Sequence, residues 1–193
     1  MAKPVVNDGI LVWCGEHWIN ALRDRSDGGP TAWFSLFRTH YSQYGEGHTL
    51  QLAVPSAGIS VVCSDNPNLG AWIARRFLAK SSVQTPDAPI VPAEFRRSGA
   101  THNAPMWTVE WAGHRIDARW TITEGPVIAY GPFGPDTEFF TVLFFTMQSA
   151  LALDGRTLPG RPYPRDIWEA SIGGVRSSSV IALNETLIEP RRT

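Results

Sequence analysis

The stretch Trp107–Trp120 reads WTVEWAGHRIDARW and decides the fold class. Ala112-Gly113 suits a two-residue hairpin turn, which sets Trp111 against His114. One face of the predicted hairpin then carries Trp107, Val109, Trp111, His114, Ile116, Ala118, Trp120 and Ile122. The intervening residues are polar, and this alternation is typical of an antiparallel sheet with one buried face.

A second hairpin is predicted around the loop Gly45–Gly47, with Tyr44 opposite His48. In that register one face combines charged, polar and aliphatic side chains, namely Arg38, His40, Ser42, Leu50, Leu52 and Val54. A tight turn at Ala57-Gly58 extends the aliphatic part of the face to a third strand. The sequence therefore predicts a meander in this region.

The rest of the chain predicts one or two helices and further short strands. Residues 10–25 place apolar side chains on one helical face, although Leu11-Val12-Trp13 also suits a strand. Asp65-Asn66-Pro67 is a typical helix start, and we expect a helix over 67–79. Turns rich in glycine and proline separate about eight to ten strands. We expect one domain over 1–193, mainly β, built as a single antiparallel β-barrel or a strongly curved meander sheet.

Composition and charge exclude several classes of function. The net charge of −1 argues against nucleic-acid binding. No apolar run is long enough to cross a membrane, and the first residues are too polar for a signal peptide. Cys14 and Cys63 are far apart and outside any CxxC pair, so we expect reduced thiols and a cytoplasmic location.

Motifs that would identify a cofactor or a metal are absent from the sequence. There is no GxSxG, P-loop, GxGxxG or HExxH segment, and no His, Cys, Asp or Glu spacing resembles a metal site. We therefore expect neither a cofactor nor a metal. Catalysis by scattered side chains remains open.

Tryptophan is unusually frequent, with eight residues in a chain of 193. Its large rigid ring suits the wall of a ligand cavity as well as a core. Five residues on the apolar faces of the two hairpins are therefore candidates for ligand binding: Trp107, Trp111, Trp120, Leu52 and Val54. The alternative is that these side chains only pack.

Four polar residues are candidates for catalysis. His40 and His114 fall on apolar faces, where an imidazole would serve as a general acid or base. Arg38 and Tyr44 would stabilise developing charge. The alternative for His114 is an exposed sheet rim, and for Arg38 and His40 a strand end that leaves the core.

The meander with a wide aromatic face resembles the lipocalin-like (calycin) barrels, on the basis of the Tyr44–His48 and Trp111–His114 hairpins. The resemblance implies a barrel around a hydrophobic ligand. The Gly-x-Trp of lipocalins has no counterpart at Pro30-Thr31-Ala32-Trp33, which lacks the glycine. We therefore transfer no catalytic residue from that family.

Two functions follow as hypotheses. The first is a cofactor-independent lyase, isomerase or cyclase acting on a hydrophobic aromatic or terpenoid-like molecule in a Trp-lined cavity. The second is a carrier that binds such a molecule without catalysis. A homo-oligomer formed through the apolar Phe139–Phe145 strand is a further expectation.

Overall fold

The computed structural model describes residues 9–80, 88–101, 103–121, 124–166 and 169–190, and most of them lie in β-strands. The strands are β1 (Gly9–Leu22), β2 (Ala32–Ser42), β3 (Gly47–Val54), β4 (Ile59–Ser64), β5 (Ile90–Pro92), β6 (Glu94–Ala100), β7 (Asn103–Trp111), β8 (His114–Thr121), β9 (Val127–Pro132), β10 (Glu138–Thr146), β11 (Gln148–Leu153), β12 (Arg156–Thr157), β13 (Pro164–Arg165), β14 (Arg176–Ser177) and β15 (Ser179–Pro190). The helices are α1 (Pro67–Arg76) and α2 (Glu169–Ile172), with 3-10 turns at Pro55–Ala57 and Leu78–Lys80. The mainly β prediction is confirmed, and so is a helix beginning at Pro67.

The strands form two larger sheets and a short ribbon of β13 with β14. The first sheet has eight strands in the order β5-β4-β3-β2-β1-β15-β10-β9, and the second has five in the order β12-β11-β8-β7-β6. Each order begins and ends on a different strand, so neither sheet closes into a barrel. The run β2–β3–β4 is the predicted antiparallel meander.

Both faces of the eight-stranded sheet are covered over its central strands. Its inner face packs on the five-stranded sheet, and this core contains Trp18, Phe34, Leu36, Leu50, Leu52, Val54, Trp107, Val109, Ile116, Trp120 and Leu151. Its outer face packs on α1 through a second cluster of Trp13, Phe37, Val62, Leu69, Trp72, Ile73 and Leu187. Two smaller apolar clusters occupy other parts of the outer face.

The helix predicted over 10–25 is wrong. These residues form β1, which pairs with β2 on one side and β15 on the other. Since both faces of β1 are covered, Trp13 is buried on the outer face and Trp18 on the inner face. Register shifts near Val12 and after Gly15 further disturb the two-residue alternation. The apolar residues of β1 therefore recur at the spacing expected for one face of a helix.

The Trp107–Trp120 hairpin, formed by β7 and β8, has the predicted register. Trp111 pairs with His114, Val109 with Ile116 and Trp107 with Ala118. Ala112 and Gly113 both have positive φ, as the two-residue turn requires.

The register predicted for the other hairpin is wrong. His48 pairs with Arg38 rather than Tyr44, and a wider loop joins β2 to β3. Asn66 holds this loop, because its Nδ2 donates to the carbonyl oxygens of Tyr44 and Glu46. The register differs by an even number of residues, so Arg38 still shares the inner face with the aliphatic core.

The apolar stretch 139–153 divides between the two sheets. Residues up to Thr146 form β10 in the first sheet, and residues from Gln148 form β11 in the second. β10 is hydrogen-bonded to β9 and β15, so its backbone is not a free edge for another copy. A homo-oligomer through Phe139–Phe145 stays a prediction, and side chains rather than strand pairing would have to form it.

None of the helices described is long and apolar enough to cross a membrane.

Candidate functional site

The residues predicted to bind a ligand lie in the core between the sheets. Trp107 and Trp120 each contact Trp18 edge to face, with ring centroids 6.0 and 5.3 Å apart. Leu52 and Val54 are fully buried in the same cluster. Trp111 is also buried, at the end of the hairpin. Four of the five side chains therefore pack in the core, while Trp111 also borders a groove at the tip of the hairpin. A role for them in ligand binding stays a prediction.

The four residues predicted for catalysis do not come together. Arg38 and His40 line one cleft, while His114 lines a separate groove with Trp111 at the tip of the β7–β8 hairpin. The His114 imidazole is half exposed and lies 3.0 Å from Asp154. Tyr44 packs its ring on Trp72, on the side of α1. Arg38 and His40 are thus the pair that shares a concave surface.

We call this concave surface the mouth cleft. It has a volume of about 600 Å³ and is lined by Arg38, Thr39, His40, Glu46, Gly47, His48, Asp65, Asn66 and Pro67. It lies where β2 ends, β3 begins and α1 starts. Three secondary-structure elements therefore position its polar side chains.

A hydrogen-bonded histidine–aspartate pair lines the mouth cleft. The Nδ1 of His48 lies 2.6 Å from Oδ2 of Asp65. The other carboxylate oxygen accepts the backbone N–H of His48 at 2.6 Å. Two contacts to one residue fix both the position and the ring orientation of His48. This is the arrangement by which an aspartate orients a general base and leaves Nε2 to act.

Aromatic rings hold the other side of the His48 imidazole. Phe95 stacks on it with centroids 5.1 Å apart, and Trp107 meets it at 5.4 Å. The side chain of His48 is about one quarter exposed, at 24%. The ring is therefore pressed against the end of the core and still reached by solvent.

A buried carboxylate holds the arginines beside His48. Glu16 accepts from Nε1 of Trp18 at 2.9 Å and from Arg38 at 3.3 Å. Arg97 approaches the same carboxylate at 3.6 Å. His40 lies 3.9 Å from it. Glu16 thus anchors two guanidinium groups at the mouth of the sandwich, and one of them, on Arg38, is the register partner of His48.

The local sequence explains why Asp65 reaches His48. Asn66 caps α1 by accepting the N–H of Leu69, and Pro67 starts the helix. Asp65 is thereby fixed just before α1, beside Gly47. A Cβ on Gly47 would lie 2.7 Å from Oδ1 of Asp65, so glycine is needed for this close approach.

Electrostatics keep Asp65 ionised. Burial opposes ionisation, but the side-chain and backbone hydrogen bonds from His48 outweigh it and lower the pKa of Asp65. An ionised Asp65 accepts a proton-bearing Nδ1. In the neutral imidazole, Nε2 is then the atom free to accept a proton.

Most of this site was not predicted from the sequence. Arg38 and His40 were predicted as catalytic residues, whereas His48, Asp65, Glu16 and Arg97 were not. The Asp65-Asn66-Pro67 helix start was recognised as a cap, but the incorrect hairpin register separated it from His48. The segment containing Glu16 was predicted to be a helix, which hid its pairing with Arg38.

No family model matches this chain, and neither does any curated protein or solved structure that was compared with it. Within the described ranges, no group of three His, Cys, Asp or Glu side chains is arranged to hold a metal ion.

Proposed function

We propose that the protein is a cofactor-independent enzyme of the lyase or isomerase type, with His48 in the mouth cleft as its general base. The observation that carries this proposal is the His48–Asp65 pair facing Arg38 across one strand pairing. The substrate class that fits is a small aromatic molecule with a carbonyl group and an acidic C–H bond.

The chemistry follows from the groups present. Nε2 of His48 removes a proton from carbon, and the electron pair moves onto the substrate's carbonyl oxygen to give an enolate. Arg38 stabilises that oxygen, because a guanidinium donates to an anion without changing its own charge. Return of the proton to another atom gives an isomer. Loss of a leaving group from the neighbouring carbon gives an elimination product instead.

The cleft also supports an aromatic substrate. Phe95 is partly exposed and stacks on His48, so it supplies an aromatic surface beside the cleft, whereas Trp107 is buried behind the imidazole. Glu16 positions Arg38 and Arg97 and neutralises part of their charge, so a neutral carbonyl is accommodated before the enolate forms. Expected roles are therefore His48 for proton transfer, Arg38 for charge stabilisation, and Asp65 and Glu16 for positioning.

Deuterium exchange tests the proposal without knowledge of the natural substrate. Aromatic carbonyl compounds, phenylpyruvate first, are incubated in D₂O, and loss of the benzylic proton signal is followed by NMR. The wild-type protein should accelerate exchange, and His48→Gln should reduce the acceleration by about 10²- to 10⁴-fold. Arg38→Gln should also reduce the acceleration, because Arg38 stabilises the enolate oxygen. Arg96→Gln is its matched control, since Arg96 is exposed and pairs with Glu94 and Glu110. Unchanged exchange in His48→Gln would rule out its role as the base.

The carrier hypothesis is the second candidate. Nε1 of Trp107 is buried without a hydrogen-bond partner among the described residues, and this is the kind of donor that a bound acceptor would satisfy. A carrier would change Trp fluorescence on binding an aromatic carbonyl compound but would not accelerate exchange. His114→Gln is tested in the same exchange experiment. A loss of exchange in this variant would place the active site in the groove at the tip of the β7–β8 hairpin instead of in the mouth cleft.

A further inference from the structure

The eight-stranded sheet has an open strand edge at β9. The order of that sheet ends on β9, so among the described residues β9 pairs with β10 on one side and with no strand on the other. Alternate N–H and C=O groups of an edge strand point away from the sheet and need a hydrogen-bond partner. An open edge is therefore a place where a further strand can add to the sheet.

The other edge strands of the two larger sheets carry features that oppose such pairing. β5 is three residues long and ends in Pro92, and β12 is two residues long. β6 is longer but carries Glu94, Arg96 and Arg97. Short length, proline and charge are the usual means by which proteins protect a strand edge. β9 is six residues long and carries no charged residue, so charge does not protect its edge.

The inner face of β9 presents large apolar side chains to solvent. Ala129 packs in an outer-face cluster with Ile172 of α2. Because side chains alternate along a strand, Ile128 and Tyr130 lie on the inner face, and they are 62% and 76% exposed. Phe140 of β10 is the register partner of Tyr130 and is 41% exposed. Adjacent exposed side chains of this size are typical of an interaction surface.

The sequence of β9 is self-complementary about Ala129. When two copies pair antiparallel about a two-fold axis at this residue, Ile128 of each copy lies opposite Tyr130 of the other. Such pairs of an aromatic and a β-branched side chain stabilise neighbouring strands. Pro126 and Pro132 lie equally far from Ala129, so a proline faces a proline at each end. Since proline has no N–H to donate, the prolines mark both ends of the paired segment.

We propose that two copies of this chain form a dimer through β9, which joins their eight-stranded sheets edge to edge into one continuous sheet. About four to six backbone hydrogen bonds form across the two-fold axis. The axis is perpendicular to the sheet, so the two inner faces lie on the same side of it. Ile128, Tyr130 and Phe140 then meet their counterparts and leave water. The strand that pairs is β9, and β10 contributes only the side chain of Phe140.

The area buried by this contact corresponds to a weak dimer. From the exposed fractions of these three side chains and the open backbone edge, each copy buries roughly 500 Å², which gives roughly 1,000 Å² in total. Interfaces of this size lie at the lower limit for specific association. We therefore expect a dissociation constant of about 10–100 µM. The net charge of −1 on each chain adds little repulsion.

A small apolar molecule is the alternative occupant of this face. A groove of about 650 Å³ lies beside β9, and Tyr130, Phe140 and Ile188 are among its lining residues. A molecule in this groove would leave Ile128, which does not line it, and the backbone edge of β9 in contact with water. A second copy covers both, so the open edge favours the dimer.

Sedimentation equilibrium of the full chain at about 1–500 µM tests the proposal. We expect a monomer at the lowest concentration and mostly dimer at the highest. Ile128→Lys and Tyr130→Glu should each weaken the dimer at least about tenfold, because each places a charge in an apolar contact. Ile10→Lys is the matched control, since Ile10 is 60% exposed but lies on β1, and this variant should dimerise as the wild type does.

A mixture of the two β9 variants tests the register. In a mixed dimer the introduced lysine faces the introduced glutamate, while the remaining Tyr130 faces the remaining Ile128. The mixture should therefore dimerise at least about tenfold more tightly than either variant alone. A wild-type chain that stays monomeric at about 500 µM, a dimer that survives both substitutions, or no recovery in the mixture would each overturn the proposal. Equal weakening by Ile10→Lys would do so as well.

Discussion

Replacing Glu185 by Gln should raise stability at high pH and leave it nearly unchanged at low pH. The free carboxyl group in an unfolded chain has an ordinary pKa of 4.5, whereas burial raises the pKa of Glu185 to about 7 in the folded protein. Between these values the folded state holds a proton that the unfolded state has released. The contribution of Glu185 to stability is therefore lost as pH rises from about 4.5 through about 7.

The size of the effect follows from the shift in pKa. At about 1.4 kcal/mol per pKa unit, the move from 4.5 to about 7 corresponds to roughly 3 kcal/mol. Glutamine has the same shape and no charge, so the variant escapes this loss. Relative to the wild type, Glu185→Gln should gain about 3 kcal/mol in the free energy of unfolding between about pH 5 and about pH 9.

His17 changes stability in the opposite direction but does not obscure the result. Its pKa is lowered from 6.5 to about 3, so the unfolded state binds more protons and stability falls as pH drops below 6.5. That contribution is common to both proteins. Comparison at the same pH therefore removes it, apart from the interaction between His17 and Glu185, which lie 4.0 Å apart.

Urea unfolding followed by tryptophan fluorescence at several pH values measures the difference. Glu189→Gln is the control, because this exposed carboxylate lies on the same strand. A difference between Glu185→Gln and the wild type that stays constant within about 0.5 kcal/mol across this pH range would show that Glu185 is not buried as described.

Three further predictions concern the mouth cleft, and urea unfolding measures each of them. Asn66→Ala should lower the free energy of unfolding by about 2 kcal/mol, since it removes the cap of α1 and two bonds to the β2–β3 loop; a loss below about 0.5 kcal/mol would contradict this. Gly47→Ala should lower the free energy of unfolding by about 1–3 kcal/mol and change how this free energy falls at acid pH, because the added Cβ would displace Asp65 from His48. Trp18→Phe should lower the free energy of unfolding by about 1–3 kcal/mol more than Trp107→Phe does, because of these two residues it is Trp18 whose Nε1 donates a hydrogen bond, to Glu16. Equal losses would show that this hydrogen bond does not contribute to stability.

The sequence predicted those parts of the fold that short-range pattern controls. The Trp107–Trp120 hairpin has a two-residue turn and one polar face, so its register follows from local rules. The start of α1 follows equally from its Asn66 cap and Pro67. Neither prediction required knowledge of distant parts of the chain.

The errors arose where long-range contacts decide the structure. β1 is covered on both faces, so the two-residue alternation that identifies a strand is lost. The β2–β3 loop is hydrogen-bonded to Asn66, which lies about twenty residues further along the chain, and a local pattern does not contain that contact. The candidate site depends on both features, because Glu16 lies on β1 and His48 begins β3. Arg38 and His40 were identified from the face of the strand on which they lie, and the error in register did not change that face.

The most direct test of the central claim is the ¹⁵N NMR spectrum of the histidine rings with and without phenylpyruvate. We expect neutral His48 to carry its proton on Nδ1, phenylpyruvate to shift the Nε2 resonance, and Arg38→Gln to remove this shift. Asp65→Asn should abolish the single tautomer. A shift confined to His114, or no shift at His48 at saturating phenylpyruvate, would contradict the assignment of the mouth cleft as the active site.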